Sequence, residues 1–182
     1  MQKILQPSGG YRELLSYKKA TIIYDGTQYF CSRHLSPRDR TVDQMVQAAR
    51  SGKQNIVEGN MAAATSSEME IKLTNVARAS LAELLIDYED FARVHKLEVW
   101  GFDHPLRLRL KEINSDDNAT YESFRRAIEN ENTEIQVNTM LFLIDKAIFL
   151  LERHLKVLEK RFIENGGIKE RMTRARKNYR GY

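Results

Sequence analysis

Cysteine, proline and long apolar runs are scarce in this sequence, and each scarcity excludes a class of protein. The single Cys31 rules out an intramolecular disulfide and a thiolate metal cluster, so we expect it to be a small core residue. Only three prolines in 182 residues disfavour a disordered or collagen-like chain. No apolar run approaches the roughly 18 residues that span a bilayer, and MQKILQPSGG lacks the apolar core of a signal peptide. We therefore expect a cytoplasmic protein that is not associated with a membrane.

Patterns of reaction chemistry are missing as well. Two-metal helical bundles need a Glu-x-x-His pair on each of two helices, and none of the four histidines has a Glu three positions earlier. No glycine-rich phosphate loop stands between a strand and a helix, and no Ser or Cys has the setting of a nucleophile elbow. His95 and His154 are interpreted as hydrogen-bonded, partly buried histidines. The sequence predicts a protein that is not an enzyme and has no metal or cofactor.

Four long segments have the periodicity of amphipathic helices, and together they predict an all-α fold in one domain. Either Asp39 or Thr41 can cap the second helix, and Thr65 or Ser67, each followed by a Glu three residues later, can cap the third. The helices are predicted at about 11–34, 39–60, 65–95 and 133–165.

The second helix has a stripe with an unusually small centre. Val42, Met45, Ala49, Gly52 and Ile56 follow one another at helical spacing. A glycine inside a helix costs about 1 kcal/mol relative to alanine, so Gly52 needs a structural reason. We expect a neighbouring helix to pack closely there.

Two parts of the chain depart from this regular pattern. Periodicity fails over 96–132, which we interpret as an insertion into a bundle of residues 1–165, with short helices at 105–113 and 119–129. Trp100 and Phe102 are expected to order the insertion by packing on the bundle. Beyond the two glycines at 166 and 167, which end the fourth helix, residues 166–182 form a basic C-terminal tail.

The first and fourth helices carry more apolar rows than one neighbour can cover. Such a helix is buried nearly all round, either at the centre of the bundle or in a subunit interface. Both alternatives stay open at this point. The candidate interface residues are Ile23, Phe30, Met140, Phe142 and Phe149.

Charge is distributed unevenly along the chain. Residues 1–60 hold nine Lys/Arg against five Asp/Glu, residues 61–165 fourteen against nineteen, and residues 166–182 six against one. Arginines neutralise phosphates and Tyr179 and Tyr182 can stack on unpaired bases, which favours RNA or single-stranded DNA as partner. A disordered, solubilising tail is the alternative. The candidate phosphate contacts are Lys18, Lys19, Arg50, Lys53, Arg171, Arg174, Arg176, Lys177 and Arg180.

Several short motifs, taken in order, resemble a known family. They are SYKKA at 16–20, Gln44, Ala48-Ala49, Ser51 and Asn55-Ile56-x-Glu58-Gly59 in the second helix, SLAEL at 80–84, and the stretch from NTMLFLIDKAIF to ENGGIKERMTRAR at 138–176. This set resembles the four-helix-bundle proteins encoded by intervening sequences in large-subunit ribosomal RNA genes, a family that includes the accessory variability determinants of diversity-generating retroelements. The last stretch is similar to the variant with a C-terminal suffix segment. Family members usually have Ile-Pro where this chain has Gly52-Lys53.

The resemblance implies an up-down-up-down four-helix bundle, a ring of five copies, binding of nucleic acid through a basic surface and, for the retroelement members, a reverse transcriptase as partner. Asn55 and Glu58 are interpreted as polar links between the second helix and its neighbours. Our first hypothesis is a non-enzymatic, oligomeric accessory protein that binds structured RNA or an RNA–DNA hybrid. The alternative is a helical scaffold that docks another protein through the 96–132 insertion around Trp100.

Overall fold

The computed structural model describes residues 9–180, and every regular element in that range is helical. A short 3-10 helix, Tyr11–Glu13, precedes seven α-helices. They are α1 (Leu15–His34), α2 (Arg40–Ala62), α3 (Ser67–Val94), α4 (Pro105–Asn114), α5 (Tyr121–Ile128), α6 (Thr133–Asn165) and α7 (Ile168–Arg180). The all-α prediction is confirmed. Among the helices of the described range, none has both the length and the apolar character that crossing a membrane requires.

Side-chain caps begin three of the long helices. The Asp39 carboxylate accepts a hydrogen bond from the Thr41 amide at 2.9 Å, and the Ser66 hydroxyl accepts one from the Met69 amide at 3.1 Å. The side chain of Asn132 caps α6 in the same way. The third long helix is therefore capped by Ser66, which lies between the two residues that the sequence favoured.

The four long helices pack on one another around a common core. Helix α1 contacts α2 and α6, and α3 contacts the same two helices. Phe30 of α1 lies against Tyr88 of α3 with ring centroids 4.9 Å apart. The buried Tyr88 hydroxyl donates a hydrogen bond to the Thr27 hydroxyl at 3.2 Å, which satisfies the only polar atom of that side chain. Cys31 is part of this core, as expected, and burial raises its pKa to about 11.

Close packing between α2 and α3 explains Gly52. A Cβ atom built at this position would lie 2.7 Å from Cδ2 of Leu81, inside van der Waals contact. Directly beside this contact, the hydroxyls of Ser51 and Ser80 are 2.9 Å apart, and the Asn55 side-chain amide donates to Ser51. The prediction of a close helix neighbour at Gly52 is confirmed.

The 96–132 insertion folds back onto α6 and α1 through α4 and α5. Trp100 is buried, its amide donates to the Asn138 side chain at 2.8 Å, and its indole Nε1 donates to Glu134 at 3.2 Å. The Asn138 amide in turn donates to the Glu98 carbonyl oxygen at 2.8 Å. Trp100 therefore orders the insertion as predicted, but Phe102 does not, because 83% of it is exposed.

The apolar residues of α1 and of the first half of α6 are largely covered by the chain itself. Ile23, Phe30, Met140 and Phe142 are each at most 1% exposed in the single chain, so none of them has surface to offer to a second copy. Their assignment to an oligomer interface is wrong for this reason. Phe149 is the exception among the five candidates, with 53% of its surface exposed.

Candidate nucleic-acid interface

The basic tail folds as a helix, and the N-terminal end of this helix lies beside the first turn of α3. Helix α6 ends at Asn165 and is followed by Gly166, whose φ of +70° favours glycine; α7 begins two residues after Gly166. Gly167 is buried, and a Cβ atom there would lie 2.5 Å from a carboxylate oxygen of Glu68. Over residues 168–180 the tail is thus ordered as α7, and the disordered alternative is wrong for this part. Tyr182 lies outside the described residues.

Helix α7 has one partly buried side and one exposed side. Ile168, Arg171 and Ala175 are half-buried and lie at helical spacing, so they mark the side that faces the protein. With 100° between successive residues, the opposite side is formed by Lys169, Thr173, Arg176, Lys177 and Arg180, all exposed. Four of these five residues are cationic and none is acidic. We call these five residues the basic face of α7.

Arg171 and Arg174, the other two candidates on α7, lie beside the basic face. Arg174 is exposed at its edge, whereas the Nε and Nη2 atoms of Arg171 are buried without a hydrogen-bond partner in the described range. Burial raises the pKa of Glu70 in α3, and the charges of Arg161 and Arg171 act in the opposite direction. Arg171 is half-buried on the side of α7 that faces the protein, and its charge acts on Glu70, so it is not placed to contact a phosphate.

The candidates on α1 and α2 have varied surroundings. Arg50 is exposed, Lys18 forms an ion pair with Glu13 at 3.7 Å, and the Lys53 ammonium lies 4.1 Å from the ring centroid of Tyr24. Arg50 and Lys18 can still contact a phosphate, because a half-exposed ion pair of this kind is weak. These residues form a second basic group, separate in sequence from the basic face of α7.

Lys19 is wrong as a phosphate contact. It is only 3% exposed, its Nζ has no hydrogen-bond partner in the described range, and the ammonium lies 5.5 Å from the ring centroid of Phe124 in α5. Burial lowers the pKa of Lys19, while Asp117 and Asp116 act to raise it. A signal for this burial is present in the sequence, since Lys19 stands at helical spacing between the apolar residues Leu15 and Ile22.

Lys169 was missed by the sequence argument, although it belongs to the basic face of α7. Its spacing of seven and eleven residues from Arg176 and Arg180 is the signal that would have found it, because residues at these intervals share one side of a helix. The signal becomes visible only when the tail is treated as helical.

The alternative hypothesis, a scaffold that docks another protein through the insertion, requires exposed apolar residues in that insertion. Trp100 is buried and hydrogen-bonded, so it is not available to dock a partner. Phe102 and Leu108 of the same insertion are 83% and 44% exposed. Glu58 is exposed, and the Asn55 side chain donates only to Ser51 of its own helix in the described range, so neither residue links α2 directly to a neighbour; Ser51 does so through Ser80.

Comparisons of this chain with protein-family models, with curated proteins and with solved structures give no match.

Proposed function

We propose that this chain is a non-enzymatic, nucleic-acid-binding accessory protein that contacts phosphates through the basic face of α7. In this proposal α1, α2, α3 and α6 form an up-down-up-down four-helix bundle, as the family resemblance implies. The bundle serves as a rigid support for α7. The preferred ligand is structured RNA or an RNA–DNA hybrid.

The observation that supports the proposal is the one-sided charge of α7. Lys169, Arg176, Lys177 and Arg180 point away from the protein over a length of about 16 Å at 1.5 Å per residue. The one acidic residue of the helix, Glu170, is also exposed and lies in the first turn, beside Gly166 and Gly167. A row of cations of this kind attracts a polyanion and releases its counterions on binding. Tyr179, 89% exposed at the end of the row, can stack on an unpaired base.

A salt-dependent binding experiment tests this proposal. Fluorescence anisotropy with a hairpin RNA, an RNA–DNA hybrid and a DNA duplex would be measured over a series of salt concentrations. The test variant changes Lys169, Arg176, Lys177 and Arg180 to glutamine. If all four contact phosphates, the slope of log K against log salt falls by about 3 for the variant.

A matched variant separates local contacts from overall charge. Arg33, Arg38, Arg40 and Lys111 are exposed, and changing them to glutamine alters the net charge by the same amount. We expect this control to keep most of the wild-type salt slope. Equal losses in both variants, or no binding at low salt, would contradict the proposal.

Assembly into a homo-oligomer, with five copies as the resemblance implies, is a further part of the proposal. Its support is the exposed apolar surface of the second half of α6, where Phe149, Val157 and Ile163 are 53%, 53% and 82% exposed. Light scattering across a dilution series measures the number of copies. A reverse transcriptase partner follows from the resemblance alone and is tested by co-purification of the two proteins.

The protein-docking scaffold remains the second candidate, with a changed binding element. Phe102 and Leu108 carry it instead of Trp100, because they are among the exposed apolar residues of the insertion, together with Val99 and Leu106. Under this hypothesis Phe102→Ser abolishes partner binding without unfolding the protein, and glutamine substitutions on α7 have no effect. Under the first hypothesis the two results are reversed.

A further inference from the structure

A pocket of about 350 Å³ lies between α4, α5 and the first half of α6. Its apolar wall includes Trp100, Leu110 and Ile113, and the volume is at the lower end of the range of about 300–1,000 Å³ that is typical of small-molecule sites. The 96–132 insertion supplies most of this wall. The pocket therefore exists because the insertion folds back on α6.

The arginines of α4 and α5 differ in whether they form an ion pair with a carboxylate. Arg107 forms an ion pair with Asp145 at 3.3 Å, and Arg125 forms ion pairs with Glu122 at 2.6 Å and Glu129 at 3.5 Å. Arg109 and Arg126 line the pocket, and no carboxylate of residues 9–180 lies within ion-pair distance of either.

The two arginines that line this largely apolar pocket indicate the chemistry of a ligand. No acidic residue lines the pocket within the described part of the chain, so the positive potential there is not neutralised locally. Guanidinium groups bind carboxylates and phosphates with charge-assisted hydrogen bonds, and the apolar wall favours a hydrocarbon body. A neutral or cationic molecule of the same shape would leave both arginines without a partner.

We propose that this pocket binds a small organic anion, with its apolar body against Trp100, Leu110 and Ile113 and its carboxylate or phosphate head between Arg109 and Arg126. This site is separate from the basic face of α7, and its ligand is a small molecule rather than a nucleic acid. It gives the 96–132 insertion a binding role that does not depend on the proposed function.

The position of Trp100 provides a direct measurement. It is the only tryptophan in the sequence and it lines the pocket, so its fluorescence reports on this site alone. Titration of the full chain with octanoate and with octyl phosphate should give a saturable change in emission. The two titrations distinguish a carboxylate head from a phosphate head. 1-Octanol has the same hydrocarbon body without the charge and should bind at least about tenfold more weakly.

Single arginine substitutions complete the test. Arg109→Gln and Arg126→Gln should each weaken octanoate or octyl phosphate binding by about tenfold or more, because each removes a charge-assisted hydrogen bond. Arg125→Gln is the matched control on α5, since Arg125 is paired and does not line the pocket. Circular dichroism checks that all three variants fold.

Three results would overturn the proposal. They are the absence of a saturable change up to millimolar anion, equal affinity for 1-octanol and octanoate, and a loss in Arg125→Gln as large as in Arg109→Gln and Arg126→Gln.

Discussion

The two halves of α6 have similar apolar content but different surroundings. In the first half, all nine residues from Gln136 to Ile144 are buried, including the polar Asn138 and Thr139. After Phe149, only Leu151 and Leu158 are buried. Helices α4 and α5 contact α6, and the α6 residues that share a pocket or an ion pair with them, Ile135, Thr139 and Asp145, lie in the first half. The number of apolar rows in a helix thus indicates how much cover it needs, but not which part of which chain provides it.

Two phenylalanines seven residues apart on α6 give the largest expected difference. Phe142→Ala should lower the free energy of unfolding by about 3 to 5 kcal/mol, because Phe142 is 1% exposed in the core. Phe149→Ala in a single chain should cost less than about 1 kcal/mol, since Phe149 is 53% exposed and contacts Arg153. Urea unfolding at two protein concentrations measures both.

The same experiment tests whether the second half of α6 is exposed in solution. If the cost of Phe149→Ala approaches that of Phe142→Ala and grows with protein concentration, the second half of α6 is covered by another copy of the chain. In that case light scattering of the Phe149 variant should show fewer copies than the wild type.

Two asparagines on α6 give the next largest difference. Each donates a hydrogen bond to the carbonyl oxygen four residues earlier, Asn138 to Glu134 and Asn165 to Arg161. Asn138 also binds the insertion at Glu98 and Trp100, so Asn138→Ala leaves a buried amide and a carbonyl without partners. We expect a loss of about 2 to 4 kcal/mol, measured by chemical denaturation.

Asn165→Ala is the matched control, because Asn165 is exposed and its change should stay within about 0.5 kcal/mol. Similar costs for the two alanine variants would show that Asn138 does not hold the insertion. In Asn138→Ala we also expect faster hydrogen exchange at the Trp100 amide.

Lys19→Met should stabilise the protein, and its effect on the free energy of unfolding should be smaller than the effects of Phe142→Ala and Asn138→Ala. It removes a buried ammonium that lacks a hydrogen-bond partner in the described range and lies beneath Phe124 of the insertion. We expect a gain of about 1 to 2 kcal/mol at neutral pH, measured by urea unfolding. Arg12→Met is a control, since Arg12 is exposed.

The pH dependence of this gain follows from the lowered pKa of Lys19. Between the folded-state pKa of Lys19 and the ordinary lysine pKa of 10.5, the unfolded chain holds a proton that the folded chain has released, so the stability of the wild type rises with pH. The advantage of Lys19→Met should therefore be complete below the folded-state pKa and should shrink as pH rises toward 10.5. A gain that stayed constant up to that pH would contradict the burial of the charged group.

Helix positions could be predicted from the sequence because local signals specify them. The apolar rows of α6, the caps at Asp39 and Asn132 and the small residue at Gly52 all depend on nearby residues or on one close contact. The partner of a covered face is a long-range property. Periodicity alone does not distinguish cover by another part of the same chain from cover by a second copy, which is why the interface prediction is wrong for four buried residues.

The basic composition of the candidate site could be predicted from the sequence, but the helical structure of the tail was not predicted. Helix α7 has no continuous apolar stripe, so periodicity did not reveal it, although residues 168–180 contain neither proline nor glycine and are rich in helix-forming Lys, Arg and Glu. Intrinsic propensity was the better guide there. Arg171 and Lys19 could not be separated from the exposed cations by composition, because their burial depends on elements that are distant in sequence, such as α5, which brings Phe124 to Lys19.

The central place of α6 also has a consequence for biosynthesis. This helix contacts α1, α3, α4 and α5, yet the ribosome makes all four of them first. Until Thr133 and the residues after it emerge, the apolar sides of the earlier helices have no common partner. At about 5 to 20 residues per second, this exposed state lasts for seconds, which is long enough for chaperones to bind. A nascent chain that stops before α6 should therefore aggregate, whereas one that stops after Asn165 keeps its core.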